Sequence, residues 1–147
     1  MAQGIYYNGF KFLNIKLGQG TNNFTILNTD AITNIDGSKG TNNFRIAPNV
    51  DNNGNILNET LNGTVIPAIN VLGTKNATTI VSGNKNDTFQ INRNTAQLNV
   101  QGQGGNNTFR VNTPINNSTL LPNATVNLSQ TYGLSNVIIN QSSSISW

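Results

Sequence analysis

The sequence predicts an all-β protein: a single-domain parallel β-solenoid (β-helix) of about six coils, with roughly 20 residues per coil. Three observations predict it. A motif recurs four times, as GQGTNNFTI from Gly18, GSKGTNNFRI from Gly37, GNKNDTFQI from Gly83 and GQGGNNTFRV from Gly102. Apolar residues keep fixed offsets from the phenylalanine of each motif. The composition is polar without being charged: 35% of the 147 residues are hydrophobic and 9% are charged. A globular domain carries roughly a quarter charged residues, and a disordered chain lacks the β-branched and aromatic residues that abound here. Ordered, polar β-structure satisfies both facts.

The elements follow in order. Residues 1–12 hold Tyr6, Tyr7, Phe10 and Phe12 ahead of the first coil and read as an N-terminal cap or docking segment. The solenoid spans 13–140. Leu13-Asn14-Ile15-Lys16-Leu17 alternates apolar with polar, the period of a strand, and the glycines after it mark a corner. The return strand carries Phe24 and Ile26. The same template finds Ile35, Phe44 and Ile46, then Ile80, Phe89 and Ile91, then Val100, Phe109 and Val111. Two copies lack the phenylalanine: Ile56 with Val65, and Leu128 with Val137 and Ile139. Insertions fall at 70–74 and 113–124. Residues 141–147 form a C-terminal tail ending in Trp147. A lone coil cannot bury its own apolar face, but stacked coils can, in Phe/Ile/Val ladders. At about 4.8 Å per layer, six coils make a rod about 25–30 Å long.

The polar positions repeat too. Asn23, Asn43, Thr64, Thr88, Thr108 and Asn136 precede the apolar reference residue, and Asn22, Asn42, Asp87 and Asn107 stand one place earlier. Identical amides one layer apart donate to each other, an Asn/Thr ladder, and asparagine also suits left-handed turn backbone.

At Gly83-Asn84-Lys85-Asn86-Asp87-Thr88-Phe89 and Gly104-Gly105-Asn106-Asn107-Thr108-Phe109 the chain resembles the RTX family of calcium-binding parallel β-rolls. The resemblance covers four segments of about ten residues. It implies a carboxylate in each turn for Ca²⁺. Carried over, Asp87 keeps that carboxylate, while Asn22, Asn42 and Asn107 stand in the other turns. Calcium wants several oxygen ligands and negative charge, so Asp87 is left as a lone, weak calcium candidate and no metal or cofactor is expected.

With no histidine and no cysteine, thiolate and imidazole metal sites and the usual nucleophilic triads are excluded. The five acids (Asp30, Asp36, Asp51, Glu59, Asp87) present no facing pair suited to glycan cleavage, and Asp30 and Asp36 read as turn caps, so no enzyme is expected. The eight basic residues are scattered, which disfavours nucleic acid. Arg45 and Arg110 share one outward position and read as a solvated face. No apolar run is long enough to insert in a membrane, and no signal peptide is read. Asn-x-Ser/Thr sequons include Asn58, Asn62, Asn76, Asn117 and Asn123, glycosylation candidates if the protein passes a glycosylating compartment. The expectation is a structural protein of the extracellular space, cell surface or virion surface: a subunit of a filament, sheath, fibre or matrix. It would pair with itself head to tail through Tyr6, Tyr7, Phe10 or Trp147. A fibre or adhesin module that binds surface glycans or a receptor is the alternative, and an ice-binding solenoid the second alternative.

Overall fold

The computed structural model describes residues 7–52, 55–112, 126–133 and 135–139. The chain is all-β. Its strands are β1 (Phe12–Lys16), β2 (Thr21–Ile26), β3 (Ile32–Asp36), β4 (Thr41–Ile46), β5 (Glu59–Leu61), β6 (Thr64–Ile66), β7 (Thr78–Val81), β8 (Thr88–Ile91), β9 (Leu98–Gln101), β10 (Asn107–Val111), β11 (Val126–Ser129) and β12 (Ser135–Ile139). One 3-10 turn, Ala68–Asn70, is added.

Apart from the β5–β6 pair, successive strands go to different sheets. One sheet has the order β1-β3-β7-β9-β11, the other β2-β4-β8-β10-β12. Every pairing inside both is parallel. Parallel neighbours need a crossover between them. Here each sheet's crossover carries a strand of the other sheet.

The register follows the repeat. Ile15, Ile35, Ile80, Val100 and Leu128 are successive partners. Phe24, Phe44, Phe89, Phe109 and Val137 form the matching column of the second sheet. Beside it run Ile26, Ile46, Ile91, Val111 and Ile139. Inward residues of both sheets merge into one apolar cluster. Phe44 and Phe89 stack at 5.2 Å and 9°, and Phe89 and Phe109 at 4.8 Å and 4°. Those separations are close to the spacing of neighbouring strands, about 4.8 Å, so the backbone ladder itself sets the ring stack. The end of the column is looser: Phe24 is turned 61° from Phe44 and half-buried.

The third expected coil is absent from both sheets. β4 pairs directly with β8, so Phe44 is followed in its column by Phe89, 45 positions on. The chain between forms a separate antiparallel hairpin, β5 with β6. Asn62 (φ 52°) and Gly63 (φ 79°) cause it, because two left-handed residues make the turn that joins antiparallel strands. Val65 is accordingly 58% exposed, and Ile56 makes an isolated antiparallel bridge with Val50. Neither belongs to the core ladder. Among the described residues the stack has five layers, not six. Val137 keeps its register with Phe109 but is 47% exposed, since its strand is the last of its sheet.

Candidate functional site

At the corner leading into β2 and its partners, a column of side chains bonds layer to layer. Asn22 Nδ2 donates to Asn42 Oδ1 at 2.9 Å. Asn42 Nδ2 and its backbone N–H both donate to Asp87 Oδ1, at 3.0 and 2.7 Å. The Asp87 backbone N–H donates to Asn107 Oδ1 at 2.7 Å, and Asn107 Nδ2 to Gln130 Oε1 at 3.1 Å. The amides also hold the corner carbonyls: Asn42 Nδ2 reaches Gly40 O at 3.1 Å and Ser82 O at 2.9 Å, and Asn107 Nδ2 reaches Gly102 O at 2.8 Å and Gly104 O at 2.9 Å. Buried carbonyls need such donors.

The corner backbone has its own column. Ser38 (φ 55°), Gly83 (φ 99°) and Gln103 (φ 47°) lie four residues before their rungs in left-handed conformation. At Gly83 a Cβ would run into the Ser38 carbonyl, so glycine answers both the conformation and the close approach.

Asn42, Asp87 and Asn107 are buried, and Asn22, at the end layer, is half-buried. Their chain neighbours Asn23, Asn43, Thr88, Thr108 and Asn136 form a second register column on the opposite face of the sheet. There Asn43 Nδ2 donates to Asn23 Oδ1 at 2.9 Å, in the opposite sense along the stack. A third column escaped the sequence reading: Asn14, Asn34, Thr79, Asn99 and Asn127 on the outer face of the first sheet. Asn34 Nδ2 bonds Asn14 Oδ1 at 3.0 Å, and Asn127 Nδ2 bonds Asn99 Oδ1 at 2.8 Å. Its signal was present, as the residue just before the first aliphatic of each repeat. Gln130 was missed too, because it reaches the inner column from a turn.

Asp87 is the odd rung. Burial pushes its carboxyl above the ordinary value of 3.8, and the Ser82 hydroxyl and the Asn42 backbone and side-chain donors oppose that push. The donor set does not suit calcium, which takes six to eight oxygens with charge. Oδ1 already accepts two N–H groups. Among the described residues no three acidic, histidine or cysteine side chains gather.

The other acids lie away from this column. Asp36 Oδ1 accepts the Ser38 N–H at 2.7 Å, and Asp36 pairs with Lys16 at 3.6 Å. Asp30 pairs with Lys75 at 2.9 Å. Glu59 is buried in the hairpin insertion, where its carboxylate accepts from the Asn49 backbone and amide at 2.9 and 2.6 Å. Arg45 and Arg110 share an outward column with Thr25, Gln90 and Ile138. Tyr7 packs its ring 6.4 Å from Phe10 and accepts the Asp30 N–H at 3.2 Å, while Phe10 and Phe12 are exposed. Asn62 is exposed at the hairpin turn, and Asn58 is exposed with Oδ1 accepting the Ala68 N–H. Asn76 is half-buried, with Nδ2 donating to Thr29 O at 2.9 Å. Tyr6, Asn117, Asn123 and Trp147 lie outside the described residues. No described helix is long and apolar enough to cross a membrane.

No family model, curated protein or solved structure matches the chain.

Proposed function

We propose that the protein is a non-catalytic structural subunit, a parallel β-solenoid that joins copies of itself head to tail outside the cell or on a virion surface. The solenoid part rests on five chain passes that each place one strand in each sheet around a shared core. One observation carries the assembly part. At both ends of the stack the core columns stop at partly covered residues: Ile15, Leu17 and Phe24 at one end, Val126, Leu128 and Val137 at the other. The terminal strands have one described partner each. An outward strand edge over an apolar column is a template for another copy. Contacts between two different ends do not close on themselves, so they generate filaments.

The test is light scattering with negative-stain imaging. Wild type should form filaments that depend on concentration. Val137→Lys and Phe12→Lys, which place a charge at either end, should give folded monomers. A wild type that stays monomeric when concentrated would sink the proposal. The outward column Thr25, Arg45, Gln90 and Arg110, with both arginines exposed, favours a second reading, a module that binds anionic surface glycans. Discrete particles that bind such glycans, and lose binding in Arg45→Ala with Arg110→Ala, would move the assignment there.

A further inference from the structure

We propose that Asp87 serves as a protonated rung of the inner column: its carboxyl carries a hydrogen on Oδ2 and donates it where an asparagine rung uses its amide. The stack is then complete in acid and loses a donor as the pH rises.

The geometry of the neighbouring layers carries this. Oδ1 of Asp87 does what Oδ1 of Asn107 does, accepting the backbone N–H of the preceding rung at the same 2.7 Å. The other carboxyl oxygen therefore stands for the amide nitrogen. Asn42 Nδ2 points at the Ser82 carbonyl and at Oδ1 of the next rung. Asn107 Nδ2 points at the Gly102 carbonyl and at Gln130 Oε1. Carried to the Asp87 layer, the same donor position faces the corner carbonyl of its own layer, Ser82 O, or of the next, Gly102 O, together with Asn107 Oδ1. All are acceptors. An ionised Oδ2 faces lone pairs there, whereas a protonated carboxyl has one O–H to give, as the asparagine amide does.

Two further observations agree. Asp87 is 1% exposed, and its Oδ2 is a buried side-chain oxygen without a hydrogen-bond partner. Leaving a buried charge unpaired is costly, and protonation removes it. The layer has also acquired a substitute donor. Ser82 occupies the position held by Gly37 and Gly102 in the adjacent layers, and its hydroxyl donates to Gly102 O at 3.2 Å. A hydroxyl has one hydrogen: the Ser82 O–H that opposes the upward push on Asp87 is the same one that serves Gly102 O, so an ionised Asp87 takes it only by leaving that carbonyl without this donor.

The charged groups around the site supply no counter-ion. The turn packed on one side brings Asp36 and Lys39, the residue's own turn brings Lys85, and the turn on the other side, 102–107, brings none. Asp36 is paired with Lys16, and Lys39 and Lys85 are exposed. The described ion pairs leave Asp87 out.

The sign follows from linkage. The folded carboxyl titrates above its unfolded value of 3.8, burial being the main cause. Below the unfolded value both states hold the proton. Between the two values only the folded state holds it, so stability falls as pH rises, by up to about tenfold in the folding constant per pH unit. Above the folded value the advantage is gone and the dependence ends.

The experiment is urea unfolding from pH 3 to 9 for wild type and Asp87→Asn, with carboxyl-carbon NMR of wild type labelled at aspartate. Wild type should lose stability above about pH 4 relative to Asp87→Asn, whose own rung needs no proton. At neutral pH the variant should be the more stable of the two. One aspartate carboxyl in folded wild type should stay protonated where the others have ionised. Parallel pH profiles, or four aspartates that all ionise normally, would overturn the proposal. So would an Asp87→Asn chain that fails to fold, because the amide is the shape the column expects. Added calcium that stabilises wild type but not the variant would also overturn it, in favour of an ionised metal ligand.

Discussion

Phe89 shows how much one side chain owes to register. It is fully buried, with Phe44 stacked on one face and Phe109 on the other, while Gln90, one residue on, points outward. Phe89→Ala should therefore cost about 3–5 kcal/mol, the range for a truncated core aromatic. Gln90→Ala should cost less than about 0.5 kcal/mol. Phe24→Ala should fall between them, because its ring is half-buried and covered from one side by Phe44. Chemical unfolding of the three variants checks the order, and equal losses at Phe89 and Gln90 would contradict the alternation. The inner asparagines differ in kind from these apolar residues. Asn42 gives its amide hydrogens to carbonyls of two layers and accepts from a third residue, so it links layers that the phenylalanines only press together.

At the scale of elements, the excursion between β4 and β7 separates what the sequence made legible from what it hid. The four phenylalanine repeats were legible because each strand must present the same apolar residues to the layers above and below it. That constraint fixed the strand pairs and the register of Ile15 through Val111. The copy at Ile56 and Val65 met the spacing by coincidence. Its Asn62-Gly63 pair is a local hairpin signal stronger than the spacing. The inner column was partly legible. Asparagine recurrence marked Asn22, Asn42 and Asn107, but that Asp87 Oδ2 lacks a donor depends on which way each carboxyl or amide faces. No spacing rule encodes that. Because β4 and β8 pair without help from the hairpin, the excursion should be dispensable. Replacing residues 50–69 by a short Gly/Ser linker should leave far-ultraviolet circular dichroism cooperative and shift the melting temperature by only a few degrees, since shortening a loop changes closure entropy little. Loss of cooperative unfolding would show that the hairpin braces the stack.

For the whole molecule, the layers follow one another in chain order, and each is tied to the next by backbone ladders and side-chain amides that run along the stack. This has a mechanical consequence. A force applied along the stack from its two end strands loads one layer's bonds at a time, so the molecule should unspool like thread from a reel, not shear all at once. Each released turn lengthens the tether by the chain it held. The column positions 24, 44, 89, 109 and 137 set the pattern: a 20-residue turn frees roughly 70 Å and the 45-residue turn roughly 150 Å at full extension. Single-molecule stretching between handles at residues 10 and 138 should record a sawtooth with one conspicuously long tooth. That tooth is the excursion after Ile46, a length marker written into the molecule's elasticity. A single rupture releasing the whole length would mean that the layers fail together.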